Sequence, residues 1–242
     1  MPEYIERTYR KQVRDKDLVS FNVIVRETDL WVSAEKELVK ETRDLIFDYR
    51  HQLENYIQAH PEFVTSLNPY PEDMFAPEIV KMMIHETDKI GVGPMASVAG
   101  AIAQYVGKKL LDFTDQVIVE NGGDIYLKAN REVTISIFAG ESPLSNRIGL
   151  LIKTDQMPLG VCSSSGTVGH SLSLGKADVV CLLSSSAILA DGSATALGNR
   201  VRTEKDLERI ADWATEIDGI IGGVAIVGES MAIWGDVELV KL

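Results

Sequence analysis

The sequence predicts an α+β fold in which a mostly antiparallel sheet packs against helices. Several short runs alternate apolar and polar residues and are rich in valine and isoleucine, a pattern typical of half-buried strands. Other stretches repeat apolar residues every three or four positions, which favours helices. The two kinds of segment are interleaved without strict βαβ alternation, and no linker divides the 242 residues. We therefore expect one domain over 1–242.

The first 75 residues are expected to form strands, one helix and an irregular connection. Alternating runs in 4–33 predict an antiparallel meander, and the spacing of apolar residues predicts a helix over 35–59. The stretch "HPEFVTSLNPYPEDMFAP" that follows carries four prolines, so it is predicted to be irregular. Its aromatic residues Phe63, Tyr70 and Phe75 indicate that it is pinned to the surface or to a neighbouring subunit.

The remaining residues, 76–242, carry the motifs. A helix is predicted over 77–89, and Pro94 is placed to open another, because proline favours the first helical position. The run "VENGGDI" predicts two strands joined by a tight turn at 121–124, since asparagine and glycine tolerate positive φ. The further predicted elements are strands at 133–139, 148–152, 159–165 and 178–184, helices from 187 and over 203–217, and a hairpin at 222–235.

Composition restricts the function. The formal net charge of −12 argues against nucleic acid as the main partner, because phosphate backbones need lysine and arginine. No stretch approaches the roughly 18 apolar residues that span a bilayer, so no membrane partner is expected. The charged N-terminus lacks the apolar core of a signal peptide, and Cys162 and Cys181 are predicted to be reduced thiols. We expect a cytoplasmic protein.

Three segments rich in glycine and hydroxyl residues are candidates for ligand binding: "GVGPMASVAGAIA", "VENGGDI" and "CSSSGTVGHS". A helix N-terminus preceded by glycines favours an anion, and a serine- and glycine-rich loop suits a phosphate or ribose. Each segment also has a structural interpretation, as a helix start, a hairpin turn or a surface loop. His170 in the last segment is either a catalytic group or a surface histidine.

The run "AILADGSATALGN" (187–199) places Asp191 and Thr195 four residues apart, on one face of a predicted helix. Two interpretations are open. Asp191 could be the N-cap of a helix that begins at "DGSA". Alternatively, the carboxylate, the hydroxyl and a nearby carbonyl supply the oxygen ligands that Mg²⁺ prefers.

In their order, these segments resemble the ApbE family, the FAD:protein FMN transferases. The family shows a small-residue helix of the form G-g-i-A-K-G, then N-x-G-G-D-I, a strand ending in T-S-G, a histidine, and a late a-D-A-x-x-T-A-l helix. The corresponding segments here are "AGAIAQY", "VENGGDI", "CSSSGTVGH" and "LADGSATALGN", so the resemblance covers roughly 85–230. It is greatest to a shorter, cytoplasmic branch of the family.

The resemblance implies a magnesium site and a flavin site. Mg²⁺ would be held by Asp191, Thr195 and the carbonyls of Ala194 and Ala103. FAD or FMN would lie against the hairpin turn and the end of the T-S-G strand; these residues are Asn121, Gly122, Gly123, Asp124, Ser164, Ser165, Gly166 and Thr167. His170 would be the general base for attack by an acceptor protein.

The sequence also departs from the family pattern. Gln104 stands where the family has lysine, and "GHSLSLGKADV" lacks the Asp-Pro and Thr-Gly of the family's H-x-x-D-P-x-T-G stretch. Three functions therefore remain open: a Mg²⁺-dependent flavin enzyme, a non-catalytic flavin- or nucleotide-binding protein, and a structural domain that forms homo-oligomers.

Overall fold

A long antiparallel sheet is the centre of the fold. The computed structural model describes residues 18–166 and 175–242, and within them eight strands pair in the order β1-β2-β3-β4-β7-β8-β9-β10. Every neighbouring pair is antiparallel. The strands are β1 (Val19–Val25), β2 (Thr28–Ala34), β3 (Val117–Asn121), β4 (Asp124–Lys128), β7 (Leu159–Ser164), β8 (Val179–Ser184), β9 (Ile220–Val227) and β10 (Ser230–Gly235).

A second, smaller sheet was not predicted from the sequence. The chain leaves the large sheet after β4, forms β5 (Val133–Ser136) and β6 (Ile148–Ile152), and then returns as β7. The C-terminal strand β11 (Glu238–Lys241) pairs with β6, which gives the order β11-β6-β5. Local pattern indicates that a segment is extended, but it does not indicate which sheet the segment joins.

The helices lie on the other face of the large sheet. They are α1 (Val39–Ala59), α2 (Glu62–Thr65), α3 (Glu78–Asp88), α4 (Val98–Leu110), α5 (Ala187–Arg200) and α6 (Leu207–Thr215). A 3₁₀ turn at Pro94–Ser97 leads into α4, with the proline at the predicted start. None of the helices in the described part of the chain is both long and apolar enough to cross a membrane.

Two hydrophobic cores separate these layers. Val117 and Val119 of β3 face the helices, whereas Ile118 between them belongs to the core between the two sheets. This alternation follows from the two-residue period of a strand. The predicted α+β class with a mostly antiparallel sheet is therefore confirmed, and the run at 4–13 lies outside the described residues.

The proline-rich connection is held by two of its three predicted aromatic contacts. The Phe63 side chain is fully buried, and the ring of Tyr70 packs edge-on against it with centroids 5.3 Å apart. Phe75 is not buried in the connection in this way, because 98% of its surface is exposed to solvent. The connection is thus fixed to the helical layer, and Phe75 points away from it.

Candidate functional site

Asp191 lies well inside helix α5 and is not its N-cap. The helix begins after Ser186, whose hydroxyl accepts a hydrogen bond from the Leu189 amide at 3.3 Å. The interpretation of "DGSA" as a helix start is therefore wrong. Serine occupies the cap because its short side chain reaches the free amides of the first turn.

The Asp191 carboxylate instead closes the N-terminus of the neighbouring helix α4. Its Oδ2 accepts a hydrogen bond from the Gly100 amide at 2.8 Å, and the Ala99 amide also donates to this carboxylate. Ser97, directly before α4, provides no side-chain cap. A negative charge is favoured at this position, because the first-turn amides are unpaired and the helix dipole is positive there.

Small residues bring the two helices and the sheet into backbone contact. A Cβ atom on Gly100 would lie 2.4 Å from the carbonyl oxygen of Ala187 and 2.8 Å from the Cβ of Asp191. On the sheet side, a Cβ on Gly160 of β7 would lie 2.4 Å from the Cα of Ala187. Any larger side chain at either glycine would move α5.

The Asn-Gly-Gly-Asp turn of the β3–β4 hairpin contacts the N-terminus of α4. Asn121 and Asp124 pair across the β3–β4 hairpin, and Gly122 and Gly123 have φ values of 69° and 108°. The Asn121 side chain donates to the carbonyl of Ala99 at 3.1 Å, which attaches the turn to the first residues of α4. A Cβ on Gly123 would meet nothing within 4 Å, so the backbone is open at this position.

Asp124 brings a second buried carboxylate to the helix-facing side of the sheet. It is 6% exposed, and its Oδ1 accepts a hydrogen bond from the Ser163 amide of β7 at 3.3 Å. Burial and the charge of Asp191 raise the pKa of Asp124 well above its ordinary value. Burial also raises the pKa of Asp191 to about 7, against the opposing effect of the amides of Gly100 and Ala99.

In the described part of the chain, these two acids accept hydrogen bonds only from uncharged donors. Within 18–166 and 175–242, neither Asp124 nor Asp191 forms an ion pair, and backbone amides of Gly100, Ala99 and Ser163 donate to them. The nearby Cys162 thiol donates to the Ala187 carbonyl at 3.3 Å, and burial, followed by the charges of the two acids, raises its pKa. Buried carboxylates of this kind need a shared proton or a bound cation.

The other predicted metal ligands flank Asp191. Helices α4 and α5 run antiparallel, because Gly100 contacts Asp191 while Gln104 contacts Ala187. Ala103 therefore lies on the side of Asp191 that is nearer the start of α5. Thr195 lies on the other side, one helical turn after Asp191. The side chain of Thr195 is half-buried, and Ala103 and Ala194 are fully buried.

This donor set fits a hard cation and does not fit a zinc site. Among the residues that the structure describes, no three His, Cys, Asp or Glu side chains are grouped to hold a metal. Mg²⁺ does not require such a group, since one or two carboxylates, waters and substrate phosphates suffice. The oxygen atoms of Asp191, Asp124 and Thr195 are of the type it takes.

Gln104 has a structural function that sequence reasoning missed. Its side chain is buried, and its Oε1 accepts a hydrogen bond from the amide of Ala187 at 2.7 Å. This satisfies one of the free amides in the first turn of α5. The sequence indicated close packing here, because Gln104 lies in a helix of small residues. It did not indicate the hydrogen-bond partner of Gln104, which is 83 positions away.

The serine-rich segment lies beside β7 and α5 as far as it is described. Ser164 ends β7, and Ser164, Ser165 and Gly166 are half-buried. The Gly166 amide donates to the Ala177 carbonyl at 2.9 Å, so the segment returns to the sheet at this point. Thr167 and His170 lie outside the described residues.

Solved structures with the same architecture define the class. The flavinyl transferase ApbE of Pseudomonas stutzeri, in its apo form, superposes with a TM-score of 0.56 at 14% identity, covering 90% of this chain and 94% of that one. The ApbE protein of Thermotoga maritima gives 0.57 at 10% identity, covering 90% and 97%. The chain therefore has the ApbE-like fold.

The sequence comparisons give the family. Residues 10–231 match the family model described as "AbpE bacteria", and the chain belongs to this family. UPF0280 protein MJ1526 of Methanocaldococcus jannaschii is 39% identical over 229 residues, covering 90% of this chain and 92% of the relative. The UPF0280 protein of Methanosarcina acetivorans is 37% identical over 240 residues, covering 98% and 94%.

Proposed function

We propose that this chain is a Mg²⁺-dependent flavin enzyme of the FAD:protein FMN transferase type. The observation that carries the proposal is the pair of buried acids, Asp124 and Asp191, the second of which accepts a hydrogen bond at the N-terminus of α4. No basic side chain neutralises them in the described part of the chain, and an open glycine turn adjoins them. A cation bound with an anionic ligand explains why such a pair is kept.

In this proposal each predicted residue has one task. Asp191, Thr195 and the carbonyls of Ala194 and Ala103 hold Mg²⁺, which when bound supplies positive charge to the pyrophosphate of FAD. The turn 121–124 and the strand end with Ser164, Ser165, Gly166 and Thr167 contact the flavin nucleotide. The backbone of Gly122 and Gly123 allows the ligand to approach closely, since neither residue carries a side chain.

The chemistry is a substitution at phosphorus that transfers FMN from FAD to an acceptor protein, where it ends as a phosphodiester. A hydroxyl of an acceptor protein forms a bond to the phosphorus on the FMN side, the pyrophosphate bond breaks, and AMP leaves. His170 takes the proton of the attacking hydroxyl. The cytoplasmic location and the acceptor protein are parts of the same proposal.

The test measures binding and turnover separately. We expect FAD and Mg²⁺ together to raise the Tm more than either alone, and AMP to appear when an acceptor protein is added. Asp191→Asn should abolish the joint effect, whereas Asp48→Asn, which changes an exposed aspartate of α1, should leave it intact. Absence of any flavin-dependent shift in the unaltered protein would contradict the proposal.

A second candidate is a flavin- or nucleotide-binding protein without transferase activity. It is supported by the hydrogen bond that the Ala187 amide donates to Gln104. This bond gives the uncharged Gln104 side chain a structural role between α4 and α5. The lysine that the family has at this position then has no charged counterpart here. Joint stabilisation by FAD and Mg²⁺ without AMP release would favour this candidate.

A further inference from the structure

A phenylalanine side chain, Phe75, projects into solvent from the connection between α2 and α3. Asp73 fixes the backbone, because its carboxylate accepts hydrogen bonds from the Phe75 amide at 2.9 Å and the Tyr56 hydroxyl at 3.1 Å. Ala76, the next residue, is buried. Nevertheless, Phe75 is 98% exposed and Met74 is 84% exposed. Two large apolar side chains held in water by an ordered backbone indicate a contact surface.

A groove adjoins these side chains. It has a volume of about 360 Å³ and lies between the connection and the outer face of α3. Its lining residues are Glu72, Asp73, Met74, Lys81, Met82, Ile84 and His85. One wall therefore comes from the connection and the other from α3, and methionines from both walls make the surface adaptable.

The charges of the groove are suited to a second copy of the same surface. Glu72 lies on the wall from the connection and Lys81 on the wall from α3. Neither is a partner in the ion pairs within the described ranges. A two-fold axis through the face would place each acid of one copy opposite the base of the other. A uniformly acidic or basic partner would instead meet its own charge on one wall.

We propose that this face is an isologous interface between two copies of the chain. Phe75 and Met74 of each copy cover the groove of the other, and Lys81 of each copy pairs with Glu72 of its partner. Two further apolar side chains between α1 and α3, Leu67 and Val64, are 68% and 42% exposed. Aromatic and methionine side chains are enriched at the centres of such interfaces. This inference is independent of the flavin site.

The test is the oligomeric state by sedimentation velocity over a hundredfold range of protein concentration. We expect a dimer that Phe75→Asp converts to a monomer at the same concentrations. Because the Phe75 side chain is exposed within one copy, this variant should keep the far-ultraviolet circular dichroism of the unaltered protein and a cooperative thermal transition. Phe47→Asp, which replaces another exposed phenylalanine on α1, is the matched control and should remain dimeric.

A charge exchange identifies the second copy as the occupant. Lys81→Glu and Glu72→Lys should each weaken the dimer at least tenfold, because each homodimer then has two repulsive pairs. An equimolar mixture of the two variants should dimerise as the unaltered protein does. Each of the two contacts between positions 72 and 81 in the mixed dimer then pairs an acid with a base. A protein that is monomeric at every concentration, or a dimer insensitive to Phe75→Asp, would overturn the proposal, as would failure of the mixture to recover.

Discussion

The carboxylate of Asp191 in α5 accepts a hydrogen bond from the backbone amide of Gly100 in α4 at 2.8 Å. One helix thereby supplies the acid that closes the first turn of the other. The acid is also the central residue of the proposed cation site, so its structural and functional contributions must be measured apart.

Two substitutions at Asp191 separate these contributions. Asp191→Ala leaves the Gly100 amide unpaired and should lower the free energy of unfolding by about 1–3 kcal/mol. Asp191→Asn keeps an acceptor oxygen but removes the charge, so it should be less destabilising in EDTA. Both variants should lose the rise in Tm on addition of FAD and Mg²⁺. Urea unfolding and thermal melts, each with and without the ligands, give the comparison.

The contribution of Asp191 to the stability of the cation-free protein should fall as the pH rises from about 4 to about 7. The pKa of Asp191 is raised to about 7, from an ordinary value of 3.8, by burial. Between these values the folded state binds more protons than the unfolded state, so its stability is lost as pH rises. Asp124, whose pKa is also raised, acts in the same direction.

Urea unfolding in EDTA at several pH values measures this slope. Asp191→Asn should flatten it, and Asp48→Asn should not, because Asp48 is exposed on α1. An Asp191→Asn variant with the slope of the unaltered protein would show that another group is responsible.

Gly100 should not tolerate even one methyl group. Gly100→Ala would place a Cβ 2.4 Å from the Ala187 carbonyl oxygen, so α4 and α5 must separate. Overpacking of this kind costs about 1–3 kcal/mol. Gly198→Ala in α5 is the control, since its Cβ would meet nothing nearer than the Ser164 hydroxyl at 3.7 Å. Chemical unfolding should show a loss for the first and little change or a gain for the second.

Gln104 should matter for stability through its hydrogen bond with Ala187 and not through charge. Gln104→Leu preserves the approximate volume but leaves the buried Ala187 amide unpaired, at a cost of about 1–3 kcal/mol. Gln58→Leu, at an exposed position of α1, should change the free energy of unfolding by less than about 0.5 kcal/mol. Equal effects of the two substitutions would contradict the structural assignment of Gln104.

Much of the fold could be predicted because its signals are local. The hairpin around 121–124 follows from two glycines that adopt positive φ, and β3 and β4 pair on either side of them. Helix α1 was predicted from 35 but begins at Val39. The four-residue strand β11 was missed, because its pairing with β6 depends on a segment about 90 residues earlier in the sequence.

The sequence by itself determined the α+β class, the order of most strands and helices, and the residue types suited to a hard cation. Only the tertiary structure decided what those residues contact: Asp191 meets an amide 91 positions away, and Gln104 one 83 positions away. The reason is physical. Periodicity and turn preference act within a few residues, whereas the close approach of α4 to α5 requires the whole helical layer to pack against the sheet.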